Sequence, residues 1–136
     1  MSGIYANGPK GKADRLFSQL VRLTGYCENP ECRLMDASRL QCAHIMSRKF
    51  NATRVLRLNA VSLCASCHAW FTARPTEWRP FLTGAGLRTD DDLDELYRLT
   101  VAPFKVPKGW WEERCVELTA AIAAEKERQE CLLNGQ

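Results

Sequence analysis

No stretch of this sequence approaches the ~18 consecutive apolar residues that a membrane-crossing helix needs, which predicts a soluble chain with no membrane partner. The opening segment, MSGIYANGPKGKADR, carries basic residues but no apolar run behind them, so it does not read as a secretory signal and the expected location is the cytoplasm. Internal repeats and low-complexity tracts are absent. Histidine is scarce, with two in 136 residues, and charge of one sign is too weak, at a net +3, to name a partner by itself. What remains is ordinary globular composition, 46% hydrophobic and 26% charged, at a length that fits one compact domain.

Cysteine is not scarce. Seven thiols in a chain with no secretion signal point to metal rather than to a disulfide framework, because the cytosol keeps thiols reduced. Four of them form two close pairs, Cys27/Cys32 and Cys64/Cys67. A tetrahedral structural zinc takes four such ligands, and short-range pairs supply them with little chain entropy lost within each pair. Cys42 is an alternative to Cys32 as the fourth ligand, and Cys115 and Cys131 read as packing or surface residues of the last helix. Both histidines lie at or within the reach of this staple.

Periodicity divides the chain into a flexible basic arm (1–12), a zinc-stabilised core (13–75) and a helical extension (76–136). Leu16, Leu20 and Leu23, with Phe17 beside them, mark a helix from Ala13 that Gly25 is placed to stop. Alternation over Leu40, Cys42 and His44 predicts a short strand, and Cys67 to Thr72 the start of a short helix. A further short helix is expected from Thr76 to Gly84. Thr89 with Asp90, Asp91 and Asp92 predicts a capped helix running to about Val101. In the last helix Trp111, Cys115, Leu118 and Ile122 form an apolar stripe that would either pack on the body or make a homodimer contact. The fold class expected is α+β.

Basic residues crowd the first sixty positions and acidic ones the second half, so a phosphate backbone is expected on the first half. Within it runs Gln41-Cys42-Ala43-His44-Ile45-Met46-Ser47-Arg48, then Asn59, then Leu63-Cys64-Ala65-Ser66-Cys67-His68. A histidine after a short strand, an asparagine fifteen residues on, and a histidine nine residues later behind a CxxC pair resemble the HNH endonuclease motif. Lys12-Ala13-Asp14-Arg15-Leu16-Phe17-Ser18, Phe71-Thr72-Ala73-Arg74-Pro75 and Glu77-Trp78 extend the likeness to small bacteriophage HNH proteins, including the NinG/Rap-type recombination nucleases.

The resemblance implies a ββα-metal core flanked by an N-terminal helix and C-terminal helices, and an enzyme that hydrolyses DNA phosphodiester bonds, with branched or recombination DNA as one substrate. For a phage-encoded chain the location becomes the host cytoplasm. His44 would be the general base, since a neutral imidazole accepts a proton at cellular pH. His68 would ligate a catalytic Mg2+ or Mn2+, and Asn59 would orient the loop or ligate that ion. Arg48, Lys49 and Arg54 would be the nucleic-acid-binding residues. Many family members carry Asp or His just before the first histidine as a further ligand, where this chain has Ala43. The ion would then rest on His68, on Asn59 or water, and on the phosphate, with Cys42 as a substitute ligand. The competing reading is a non-catalytic zinc module that binds nucleic acid with a degenerate site. A purely structural phage component would leave both histidines unexplained.

Overall fold

The computed structural model describes residues 7–135 and is α+β, with five α-helices and one two-stranded antiparallel sheet among them. Helix α1 spans Pro9–Arg22. It begins four residues earlier than the leucine periodicity suggested, because Pro9 presets a helical φ at the first position, where no N–H is needed. The predicted basic arm therefore contributes its last residues to α1, and residues 1–6 of it lie outside the described residues. Gly25, with φ at +87°, turns the chain out of the helix as expected.

Strand β1 (Leu40–His44) pairs antiparallel with β2 (Ala60–Cys64), setting Leu40 opposite Cys64 and His44 opposite Ala60. Helix α2 (Ala65–Thr72) follows β2 without a linking residue. Then come α3 (Trp78–Gly84), α4 (Asp90–Val101) and α5 (Trp110–Asn134). Helix α4 opens on a reciprocal capping box. Asp92 N–H donates to the Thr89 hydroxyl and Thr89 N–H to the Asp92 carboxylate, which satisfies two otherwise orphaned donors.

All five residues of β2 are buried, which a two-stranded hairpin achieves only when both of its faces are covered. On one face Ala43, Val61 and Leu63 pack with Leu40, Cys27, Cys64, Phe71 of α2, Leu82 of α3 and Leu93 of α4. The helices after residue 76 thus share the core of the hairpin. On the other face Ala60 packs with Ala13, Phe17 and Val21 of α1, with Val55, and with Cys115 and Leu118 of α5. The free edge of β2 is stitched to the first cysteine pair: Glu28 N–H donates to Ser62 C=O and Ser62 N–H to the Glu28 carboxylate (2.8 and 2.7 Å). Edge groups left open would template aggregation. Arg88, in the turn between α3 and α4, donates to the carbonyls of Leu58 and Ala60 and so clasps the start of the strand.

Helices α1 and α5 lie side by side and run parallel, since the Cys115 thiol meets the carbonyl of Pro9 while the Gln129 amide donates to the carbonyl of Leu23. The apolar stripe of α5 is spent on this contact, with Cys115, Leu118 and Ile122 buried. Val116, Leu132 and Leu133 remain exposed on it.

Candidate functional site

Cys27, Cys32, Cys64 and Cys67 converge, with all four sulfurs within 4.8 Å of one another. A 2.3 Å Zn–S bond in a tetrahedron sets sulfurs roughly 3.8 Å apart, and Cys32 Sγ to Cys64 Sγ is 3.8 Å. The four could therefore hold a structural metal such as zinc. Local structure explains the fit. The turn after Asn29 returns Cys32 and Arg33 N–H groups to the Asn29 carbonyl, and Arg33 takes a left-handed φ of 55° to close it. On the other side Cys64 caps α2, accepting from Cys67 N–H. The Asn29 amide donates to Cys67 Sγ at 3.3 Å, a bond that would strengthen on a metal-bound thiolate.

The thiols titrate unevenly. Burial opposes ionisation of Cys64, but the Cys67 N–H and the neighbouring thiols outweigh it and bring it down to about 7. Burial pushes Cys67 up to about 12. A metal entering the cluster displaces these protons. Cys42 is not part of it; it packs toward α1 and α5, and burial pushes its thiol to about 12. Cys32, not Cys42, completes the four-sulfur cluster.

His44 and His68 line one cleft of about 580 Å³, with Gln41, Cys42, Arg22 and Arg48 among its walls. His44 ends β1 and lies against the Phe17 ring of α1, 5.5 Å between centroids. Its Nε2 sits 2.8 Å from the carbonyl oxygen of Arg54. An oxygen there can only accept, so Nε2 bears the proton and Nδ1 keeps a lone pair. Burial lowers the His44 pKa below its ordinary 6.5, with the Arg48 charge adding to the shift and the Arg54 carbonyl opposing it. Burial lowers that of His68 as well. Both rings are neutral at neutral pH.

Asn59 is fully buried. Its carbonyl accepts from Met46 N–H at 2.6 Å and its amide donates to the carbonyls of Met46 and Thr53. These three bonds clamp both ends of the 46–53 loop, and the Asn59 carbonyl holds Ile45 N–H just beyond His44. The side chain is committed to the loop and has no exposed surface to offer an ion.

Arg54 corrects an expectation. Predicted as a phosphate contact, it is buried, making a two-pronged ion pair with Asp14 of α1 (2.8 and 2.6 Å) and donating to the Arg48 carbonyl. A guanidinium so engaged cannot also meet a phosphate. Breaking such a buried pair leaves an uncompensated charge. Arg54→Ala is therefore expected to cost about 3–5 kcal/mol in a urea unfolding titration, and a loss below 1 kcal/mol would show that water reaches Asp14. Of the other two basic residues, Arg48 lines the cleft, and Lys49 is exposed beside the Phe50 ring. Arg22 of α1, which spacing alone did not single out, reaches the same cleft.

For a second ion the donor set is thin. Among the described residues the four cysteines are the one cluster of three or more metal-ligand groups. Ala43 is buried and offers no ligand atom. His68 brings an imidazole whose Nδ1 is 2.7 Å from the Gln41 amide oxygen, and the Asp14 carboxylate that also lines the cleft is paired with Arg54. Among the described residues no helix is long and apolar enough to cross a membrane. Comparison with known protein families, with curated proteins and with solved structures found no match for the chain.

Proposed function

We propose that this chain is a metal-dependent endonuclease of the HNH type, hydrolysing DNA phosphodiester bonds, with zinc in the four-cysteine cluster as a structural staple. One observation carries the reading: His44 and His68 meet in one cleft, with His44 donating through Nε2 to a backbone carbonyl so that Nδ1 is left as a base. The β1–β2–α2 order with Asn59 clamping the intervening loop supports the same reading.

In this scheme His44 Nδ1 takes the proton of the attacking water. Its Nε2–H stays on the Arg54 carbonyl and fixes the ring plane, while the loop that carries this carbonyl is held by Asn59 and by the Arg54–Asp14 pair. Arg48 and Arg22 bring positive charge to the cleft for the phosphate backbone, and Lys49 is available for a flanking phosphate. His68 would hold a divalent ion through Nε2. Mg2+ or Mn2+, if bound there, would supply Lewis-acid stabilisation of the phosphate and the leaving oxygen.

A single imidazole with Ala43 beside the base also favours a second reading, a non-catalytic zinc module that binds nucleic acid. One panel separates the two. Supercoiled plasmid, linear duplex and a four-way junction are incubated with the protein and Mg2+, Mn2+ or chelator. The nuclease reading expects metal-dependent nicking that chelator abolishes. DNA binding without cleavage under any metal supports the second reading, and faster cutting of the junction would assign branched or recombination DNA as substrate.

The pH dependence is set by the depressed His44 pKa. Protonation removes the base, and burial moves its midpoint to the acid side of 6.5, so single-turnover cleavage should stay nearly level through neutral pH and fall on the acid side of 6.5. A rate already falling at neutral pH would contradict it.

A further inference from the structure

Of the two imidazoles in the cleft, His44 is oriented by backbone, whereas His68 is oriented by a single side chain. Gln41 and His68 come from different elements. Gln41 lies on β1 opposite Leu63, and His68 lies in the first half of α2, so it is the pairing of the two strands that brings them together. Gln41 Oε1 is 2.7 Å from His68 Nδ1. A carbonyl oxygen has no proton to give, so Nδ1 must carry one and Nε2 must hold the free lone pair. A histidine side chain free in water prefers the opposite tautomer, with the proton on Nε2. The hydrogen bond therefore selects the form that can coordinate through Nε2.

We propose that Gln41 is a positioning residue: it fixes His68 in the Nδ1–H tautomer and so presents Nε2 to a divalent ion in the cleft. This rests on the reading of His68 as a ligand of that ion. The physical basis is general. A ligating histidine that donates its other N–H to an acceptor is fixed in tautomer and ring plane, and its coordinating nitrogen becomes more basic. The effect matters more here than in a site with three protein ligands, because among the described residues no cluster of three ligand side chains lies in the cleft. Gln41 is also neutral. Its amide orients His68 without adding the negative charge that a carboxylate in the same place would lend to the ion.

The test uses the full zinc-loaded chain labelled with 15N. With two histidines in the sequence, its imidazole spectrum holds two spin systems, His44 and His68. In the wild type without added divalent ion, His68 is expected as the Nδ1–H tautomer. Gln41→Leu should move it toward Nε2–H, while unchanged His44 signals report an intact fold. Mn2+ is then titrated as a paramagnetic probe, and the midpoint of His68 broadening is read. Gln41→Leu should need roughly 10-fold more Mn2+ or beyond, and Gln41→Glu less than the wild type. A wild-type His68 found as Nε2–H, or a midpoint unchanged in Gln41→Leu, overturns the role of Gln41. A wild-type His68 that is Nδ1–H yet stays sharp throughout the Mn2+ titration overturns the ligand reading on which that role depends.

Discussion

Replacing His44 with alanine is expected to slow metal-dependent nicking by about 10²–10⁴-fold, the usual contribution of a general base, while leaving DNA affinity within a few-fold of wild type. The separation follows from where His44 sits. Its ring contacts Phe17 and the Arg54 carbonyl, not the Arg22 and Arg48 side chains that would meet phosphate, so truncation removes the proton acceptor and spares the positive wall. Single-turnover nicking of supercoiled plasmid, run beside a gel-shift titration, reads both quantities. Equal losses of binding and cleavage would mean that His44 holds the cleft open rather than taking a proton. His44→Gln offers a control, because an amide N–H can still reach the Arg54 carbonyl but the side chain has no basic nitrogen, so it should bind DNA and stay inactive.

The second large effect is expected from the staple. Structural zinc in small domains contributes roughly 10–16 kcal/mol at neutral pH, as much as or more than the ~5–15 kcal/mol that separates folded from unfolded domains. The cluster joins the turn at Cys27–Cys32 to the junction of β2 and α2, and Cys27 and Cys64 are themselves core residues packed with Leu40, Val61 and Phe71. Stripping the metal with a mercurial reagent should release a single equivalent of zinc per chain, with helical and hairpin circular dichroism lost in the same step. Cys64→Ser should behave like the stripped protein, and Cys115→Ser should keep its metal, since Cys115 packs against α1 away from the cluster. Zinc release that leaves the spectrum unchanged would show that the two cores hold the hairpin alone.

Features with local causes were legible in the sequence. The two cysteine pairs are recognisable by spacing, β1 by alternation over five residues, and α4 by a threonine followed by aspartates, since each signal is written within one turn or one strand. The start of α1 was misplaced because its leucine stripe begins later than its backbone, and proline rather than periodicity sets the first residue. Arg54 could not be placed at all from spacing. A basic residue in a polar loop looks like a solvated charge until the fold brings Asp14, forty residues away, against it. Gln41 was silent for the same reason, being an ordinary strand residue whose partner is reached only across the hairpin. The stripe on α5 was visible, but its choice of partner was not, because an apolar helix face carries no label for what covers it.

The parallel pairing of α1 and α5 bears on the order in which the molecule can assemble. Its contacts join residues 106 positions apart, Pro9 to Cys115 and Leu23 to Gln129, whereas the hairpin and the helix behind it close over far shorter loops. Loop-closure entropy delays contacts of long sequence separation. The hairpin is thus expected to form early and the docking of α5 on α1 late. Helix α1 supplies Phe17, Asp14 and Arg22 to the surroundings of His44, and no residue of α5 lines the cleft, so α5 acts on the site only through its packing on α1. A ribosome-bound chain that still lacks this helix would carry every residue of the cleft, with α1 not yet braced by its long partner.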